Sequence, residues 1–270
     1  MSANSSRVEA AALPGRRVRS DVPFLACMTA LMLSYVALIV AMLAADVAFT
    51  STGDLLRVLQ SPEIQYSIML SLTTCTLSAI LSLWVAVPAG YLLSRFDFPG
   101  KQLLDALFDI PIVLPPLVVG LSLLILFRGA DAIVYRIPSI VLAQFAVACA
   151  FAVRTMRVTF DQIDPRRERV ALTLGCSRAQ AFFRVVLPEA WRGVLTAGTL
   201  AWARALGEFG PILVFSGATR MRTEVLSTTV FLELSLGDLE AALAVSILMV
   251  IAAIVVLGVT RMFGMRGAIL

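Results

Sequence analysis

Long apolar runs alternate with short polar segments along this chain. Six stretches, near 24–44, 67–93, 103–127, 137–153, 194–215 and 241–262, are almost wholly apolar. Each is long enough, or nearly so, to cross a hydrocarbon core of roughly 30 Å as a helix rising about 1.5 Å per residue. Lipid offers no partner for backbone polar groups, so helices are the natural solution. The pattern predicts an all-α, polytopic membrane protein of about six spans. The transmembrane domain covers 23–263, between polar tails over 1–22 and 264–270. The first run exceeds a signal-peptide core, and Ala44-Ala45-Asp46 only weakly imitates a cleavage site, so it reads as a retained helix.

The segment 161–192 breaks the alternation, because it is too charged to span. Asp164-Pro165 reads as a helix start, with Asp as cap and Pro at the first helical position. Gly175 reads as a break and Ser177 as the cap of a second short helix. Val170, Leu174, Phe182 and Val186 fall at near-helical offsets between polar positions, which predicts one apolar face. On the other side of the bilayer, 47–66 holds a short amphipathic turn around Asp54, Leu55, Leu56, Val58 and Leu59. Ser61-Pro62-Glu63 then starts the next helix. The stretch 217–238 reads as a longer loop.

Composition supports the membrane reading. Hydrophobic residues make up 59% and charged residues 15% of the 270, against about 45–50% and about 25% in soluble domains; mean hydropathy is +0.91. There is no His, which removes imidazole-base and the common zinc chemistries. Cys27, Cys75, Cys149 and Cys176 match no metal or redox spacing and read as small buried hydrophobes. The net charge of +4 points to loop asymmetry rather than to nucleic acid. With the N-terminus inside, the inner segments hold Arg7, Arg16, Arg17, Arg19, Arg95, Lys101, eight arginines from Arg154 to Arg192, Arg261 and Arg266. The outer segments hold Arg57, Arg128, Arg136, Arg220 and Arg222. This bias places both termini in the cytoplasm.

Two constellations lie within the spans. Pro111, Pro115 and Pro116 interrupt the third run, and each proline removes a backbone hydrogen bond. They predict a kinked helix, either beside a pathway or as an inert packing kink. In the fifth run Arg204 and Glu208 stand four residues apart, on one helix face. They read as a pathway or gate pair, or equally as a structural pair at a subunit interface. They are also the one titratable pair that this reading finds within the spans. Gly207 and Gly210 flank Glu208 and predict close helix approach. No phosphate-binding loop and no nucleophile–base pair is visible, so the chain is expected to be no enzyme and to bind no cofactor itself.

The segment 168–188 resembles the cytoplasmic docking loop of binding-protein-dependent ABC importer permeases. Their pattern runs Glu-Ala-Ala, three residues, Gly, nine residues, Ile, one residue, Leu-Pro. Ala171, Gly175, Leu187 and Pro188 match it; Val170 and Val185 are conservative replacements. Arg169 stands at the position of the motif Glu, with Glu168 one residue earlier. The segments 88–101 and 109–120 are similar to the same family. Trp202 to Gly210 is similar to its molybdate, tungstate and sulfate branch. The resemblance implies a permease of the bacterial inner membrane, importing an oxyanion, most like molybdate or tungstate. It implies two cytoplasmic ATPase subunits holding ATP and Mg, docked on Glu168, Arg169, Ala171, Leu174, Gly175, Leu187 and Pro188. It also implies an extracytoplasmic binding protein and a second permease copy forming a homodimer in the bilayer. Sulfate or another small anion is the alternative cargo, and a stand-alone ion-coupled carrier is the alternative class.

Overall fold

The computed structural model describes residues 21–50 and 52–265; most of the two tails read from the sequence falls outside them. It contains helices and no β-strand among these residues. The chain divides into a first unit ending at Asp46 and a second beginning at Val47. The first unit consists of most of α1 (Val22–Phe49), which is uncharged until Asp46. Its aliphatic hydroxyls are satisfied within the helix, Thr29 donating to the Leu25 carbonyl and Ser34 to that of Leu31.

The second unit begins with α2 (Thr52–Gln60) and α3 (Pro62–Arg95). Ser61 caps α3, accepting from the Ile64 amide at 3.3 Å, and Pro62 opens its first turn. Then come α4 (Lys101–Val113), α5 (Pro116–Leu126) and α6 (Ile137–Gln162). α7 (Pro165–Thr173) and α8 (Arg178–Ala181) follow, with a π-helical turn over Phe182–Val186 leading into α9 (Leu187–Leu206). The chain ends with α10 (Gly210–Phe215), α11 (Leu226–Leu236) and α12 (Leu239–Met265).

Four helices are long and apolar enough to cross a membrane: α1, α3, α6 and Leu239–Gly258 of α12. The pair α4–α5 makes a fifth if counted as one span. The third run is therefore not a kinked helix. It breaks at Leu114-Pro115, and α4 and α5 diverge by 111°. The residue before a proline is driven out of the α region, and Leu114 is extended (ψ 139°). The fifth run also divides, between α9 and α10. The loop expected over 217–238 contains α11, an apolar helix of 11 residues.

The core forms where α3 and α6 pack side by side in the same direction, Cys75 meeting Gln144 and Gly90 meeting Met156, with α9 against both. On α3 most of the buried residues are small, Ile64, Leu70 and Leu93 being the large ones, and many are hydroxylic: Ser67, Ser71, Thr74, Ser78, Ser82, Ala86 and Gly90 are among the small ones. They recur at helical spacing along one seam, letting the backbones approach closely without large side chains between them. Hydroxyls on α3 and α6 tie neighbouring elements together. Ser78 donates to the Val141 carbonyl at 3.1 Å, Ser71 accepts from the Leu226 amide at 2.8 Å, and Ser139 donates to Ser216 at 2.7 Å. Large apolar side chains such as Met69, Trp84, Val113 and Leu126 face outward. This distribution suits a lipid surround, where outward apolar groups cost nothing.

Candidate functional site: a helical elbow and a broken helix pair

At one end of the bundle, α7 and α8 form an elbow. Asp164 caps α7, accepting from the Arg166 amide at 2.9 Å. The helix closes through Gly175, whose φ is +89°. The Gly175 amide donates to the Leu172 carbonyl and the Cys176 amide to that of Ala171, each at 3.1 Å. That pattern requires a left-handed residue at the position Gly175 fills. Ser177 and Gln180 then cap α8 reciprocally.

The elbow is fastened to the bundle from its inner side. Glu168 accepts a hydrogen bond from the Tyr91 hydroxyl and lies 3.6 Å from Arg95 Nε, both near the end of α3. Arg95 also donates to the Ile163 carbonyl at 2.8 Å, just before α7. Arg167 pairs with Glu189 of α9. Ala171 and Ala181 are buried, and Tyr91 packs on Phe96, Phe160 and Phe182. Arg169 points elsewhere: it is exposed and forms no ion pair among the described residues. Val170 and Leu174 are also exposed, at 56% and 79%.

The expected single apolar face is thus corrected. Val170 and Leu174 face out, whereas Val186 is buried and Phe182 joins the aromatic cluster. Leu187 and Pro188 do not lie on the exposed elbow; they begin α9. The Leu187 amide donates to the Phe182 carbonyl, five residues back, making the π turn. Pro188 lacks an amide hydrogen and crowds the preceding turn, and a widened turn accommodates it. From Arg178 to Leu206 the chain is consequently one near-continuous rod of roughly 40 Å.

The far end of that rod is the second feature. α9 stops at Leu206, so Glu208 lies in the break before α10 rather than on the same helix as Arg204. The pair still forms: Arg204 Nη1 is 2.8 Å from Glu208 Oε2. Oε2 faces the guanidinium but accepts no well-aligned hydrogen bond. The Glu208 side chain is 1% exposed and that of Arg204 is 32% exposed. Arg204 also lies 5.6 Å from the Phe151 ring centre, midway along α6. Ser227 donates to the Glu208 carbonyl at 2.7 Å, tying α11 to the break.

The two broken helices meet at their breaks. A side chain at Gly210 would come within 2.9 Å of Pro116 Cβ, and one at Gly120 within 2.8 Å of Pro211 Cα. Close approach is therefore made at Gly210. At Gly207 the nearest atoms lie at 3.8 Å, so no such approach is made there. Pro115 and Pro116 cap and open α5, while Pro111 sits inside α4, away from the break.

Sequence reasoning missed further charged groups on these helices. Asp105 pairs with Arg157, and Asp109 with Arg154 at 2.8 Å, joining α4 to α6. Arg204 and Glu208 are thus not the one ionic pair along the apolar runs. The signal was available in the acids of 103–127, but α6 extends to Gln162 and carries both arginines beyond the expected end at 153. Cys75 and Cys149 are buried as expected, while Cys27 is exposed.

A helical membrane core with two broken helices, and an amphipathic elbow rooted at one end, defines a permease-type transport protein. The chain belongs to the binding-protein-dependent transport system inner membrane component family, which its residues 86–266 match. Among its relatives, the molybdate/tungstate transport system permease protein WtpB of Thermococcus kodakarensis is 40% identical over 160 residues. That alignment covers 59% of this chain and 64% of the relative, so the chain spans slightly under two thirds of it. The sulfate transport system permease protein CysT of Escherichia coli is 31% identical over 212 residues, covering 74% and 76%. The molybdenum transport system permease protein ModB of Escherichia coli is 35% identical over 170 residues, covering 58% and 74%. In fold, the chain resembles a bacterial ABC transporter involved in alginate import (TM-score 0.71, 15% identity, 92% of this chain and 96% of that one). It also resembles the MetNI methionine ABC transporter (TM-score 0.65, 16% identity, 76% and 98%). These likenesses establish the type I importer permease fold.

Proposed function

We propose that this chain is the permease subunit of an ATP-driven importer and forms the path for a small oxyanion, molybdate or tungstate. Two copies enclose the path, two cytoplasmic ATPases supply ATP hydrolysis with their own Mg, and an extracytoplasmic binding protein delivers the anion. Both termini face the cytoplasm. The observation that carries this reading is the elbow: Arg169, Val170 and Leu174 are exposed together, while Glu168 locks the same helix to α3.

The geometry suits transmission of movement. A partner that grips the outer face of α7 displaces Glu168 and with it the end of α3. Through α8 and the π turn it also pushes α9 along its axis. The other end of α9 holds the Arg204–Glu208 break, beyond which α10 packs on α5. Displacement at the elbow therefore reaches the breaks as rigid-body motion, the mode by which alternating access operates. Arg204 is positioned to meet an anion there, but Glu208 largely neutralises it. A transient contact rather than a tight site follows, as passage requires.

Sulfate is the second reading for the cargo, favoured by the broader alignment with the CysT relative. The docking claim is tested by placing Cys at Leu174 and cross-linking to an ATPase subunit that assembles with this chain. Cross-links from Leu174→Cys and none from a Cys at buried Ala171 are expected. Equal labelling at both positions, or none at either in a complex that hydrolyses ATP, contradicts it.

A further inference from the structure

The end of the bundle opposite α7 holds an open cavity of about 1170 Å³ that the mechanism above does not use. Three arginines from three different segments line it. Arg128 follows α5, Arg136 precedes α6, and Arg222 lies in the turn between α10 and α11. Asp131 is in the same wall. None of the three arginines forms an ion pair among the described residues. The contrast with Arg220, two residues from Arg222, is instructive. Arg220 lies 2.6 Å from Glu233 and 3.8 Å from Glu63, so its charge is spent within the fold.

The cavity is also built from constrained backbone. Tyr135 and Met221 both line it, with φ of 57° and 59°; they are the non-glycine residues with positive φ among those described. Such conformations persist only where the surroundings hold them, and they gather at ligand clamps. Tyr66 steadies the turn by donating its hydroxyl to the Arg222 carbonyl at 3.2 Å. The arginines therefore stand on fixed loops.

We propose that this cavity is a binding site for a small tetrahedral oxyanion, held by Arg128, Arg136 and Arg222. A guanidinium offers a planar pair of donors that matches two oxygens of such an ion, and it gives up water more readily than an ammonium does. Three of them against one carboxylate leave the cavity net positive, which raises the local anion concentration and speeds capture. The volume exceeds one oxyanion, so the ion keeps part of its hydration and leaves easily. The inference rests on the proposed function, since it places a capture site for the cargo at the mouth opposite the elbow. A phospholipid headgroup shares the oxyanion chemistry. A free ion is favoured here because three guanidiniums from three different segments line one cavity, although Leu124, Ile125, Val134 and Ile137 make much of its wall apolar.

The test uses the full chain in phosphatidylcholine nanodiscs, with tungstate binding followed by equilibrium dialysis at low and high salt. Arg128→Gln, Arg136→Gln and Arg222→Gln each weaken binding about tenfold, as loss of a charged hydrogen-bonding pair does. The triple variant abolishes it, and added salt weakens the wild type. Arg57→Gln, outside the cavity, leaves it unchanged. Unaltered thermal unfolding shows that the variants are folded, and the single variants serve if the triple one is not. Wild-type affinity in all three single variants overturns the site. So does retention of anionic phospholipid, or of an acidic protein, by the wild type with no tungstate bound. Tungstate uptake by the assembled transporter without binding to the permease alone overturns the site but leaves the proposed function standing. Absence of any oxyanion uptake overturns the function itself.

Discussion

Arg204 and Glu208 are held 2.8 Å apart with the carboxylate almost fully enclosed. Removing one partner of a buried pair costs about 3–5 kcal/mol if the other charge stays dry, and much less if water reaches it. A cycle of Arg204→Gln, Glu208→Gln and the double variant separates the two cases. If the pair is structural, each single variant loses stability and the double recovers much of it. If the pair serves the path, stability moves little while uptake falls in both single variants and is not restored in the double. Unchanged stability and uptake in both singles remove either role. Glu224 supports a second prediction. It is fully buried and neither carboxylate oxygen has a hydrogen-bond partner. Burial pushes its carboxyl above the ordinary range, against the opposing pull of Thr229 and Arg220. The folded chain thus keeps a proton that the unfolded chain releases, and stability falls as pH rises from the ordinary carboxylate value through the raised one. Glu224→Gln removes that decline. Thermal unfolding should show it close to wild type near about pH 4 and more stable near about pH 8; a wild type that gains relative to the variant as pH rises contradicts this. Arg204 was legible in the sequence as the partner of Glu208, but the surroundings of Glu224 and Glu168 were not. Glu224 looked like one charge in a loop, and the partners of Glu168, Tyr91 and Arg95, lie more than seventy residues earlier.

The elbow was the most legible element, because its signals are local. Asp164-Pro165, Gly175 and Ser177 each impose a backbone geometry on their own neighbours, and each occupies the position that its chemistry demands. The broken helices were only half legible. Prolines at 111, 115 and 116 announce a disturbance, but the 111° bend depends on what α5 packs against, namely α10 through Gly210 and Gly120. The α3 seam was readable as Ser, Ser, Thr, Ser and Ser at 67, 71, 74, 78 and 82, yet within an apolar run it was passed over. α11 was missed because an 11-residue apolar helix between polar turns is too short to look like a span. Gly175→Ala forces a side chain into the left-handed region, at about 1–2 kcal/mol, while no neighbouring atom lies within 4 Å of the new Cβ. The fold survives, and ATPase association and uptake fall together, as measured by co-purification and transport. Gly175→Asp, which adds charge at the same point, weakens both further. Full transport with normal assembly in both variants would remove the coupling role from the elbow.

For the whole molecule, transport depends on which way the bundle faces and on what moves it. The proposed orientation rests on the excess of arginine in segments on the elbow side. A Cys at exposed Arg178 should react with an impermeant reagent only from the cytoplasmic face, and one at exposed Asp131 only from outside; reversed labelling contradicts the topology. The choice between an ATP-driven permease and a stand-alone carrier is the central claim. The additional pairs Asp105–Arg157 and Asp109–Arg154 add charged groups beside the spans, so the energy source is the quantity to measure directly. The decisive measurement is uptake of labelled molybdate, tungstate and sulfate into proteoliposomes containing this chain, with and without the ATPase, ATP and the binding protein. The account predicts uptake only when all three accompany the permease, with tungstate or molybdate preferred and no response to an imposed proton gradient. Uptake by the permease alone, driven by an ion gradient and indifferent to ATP, would contradict it.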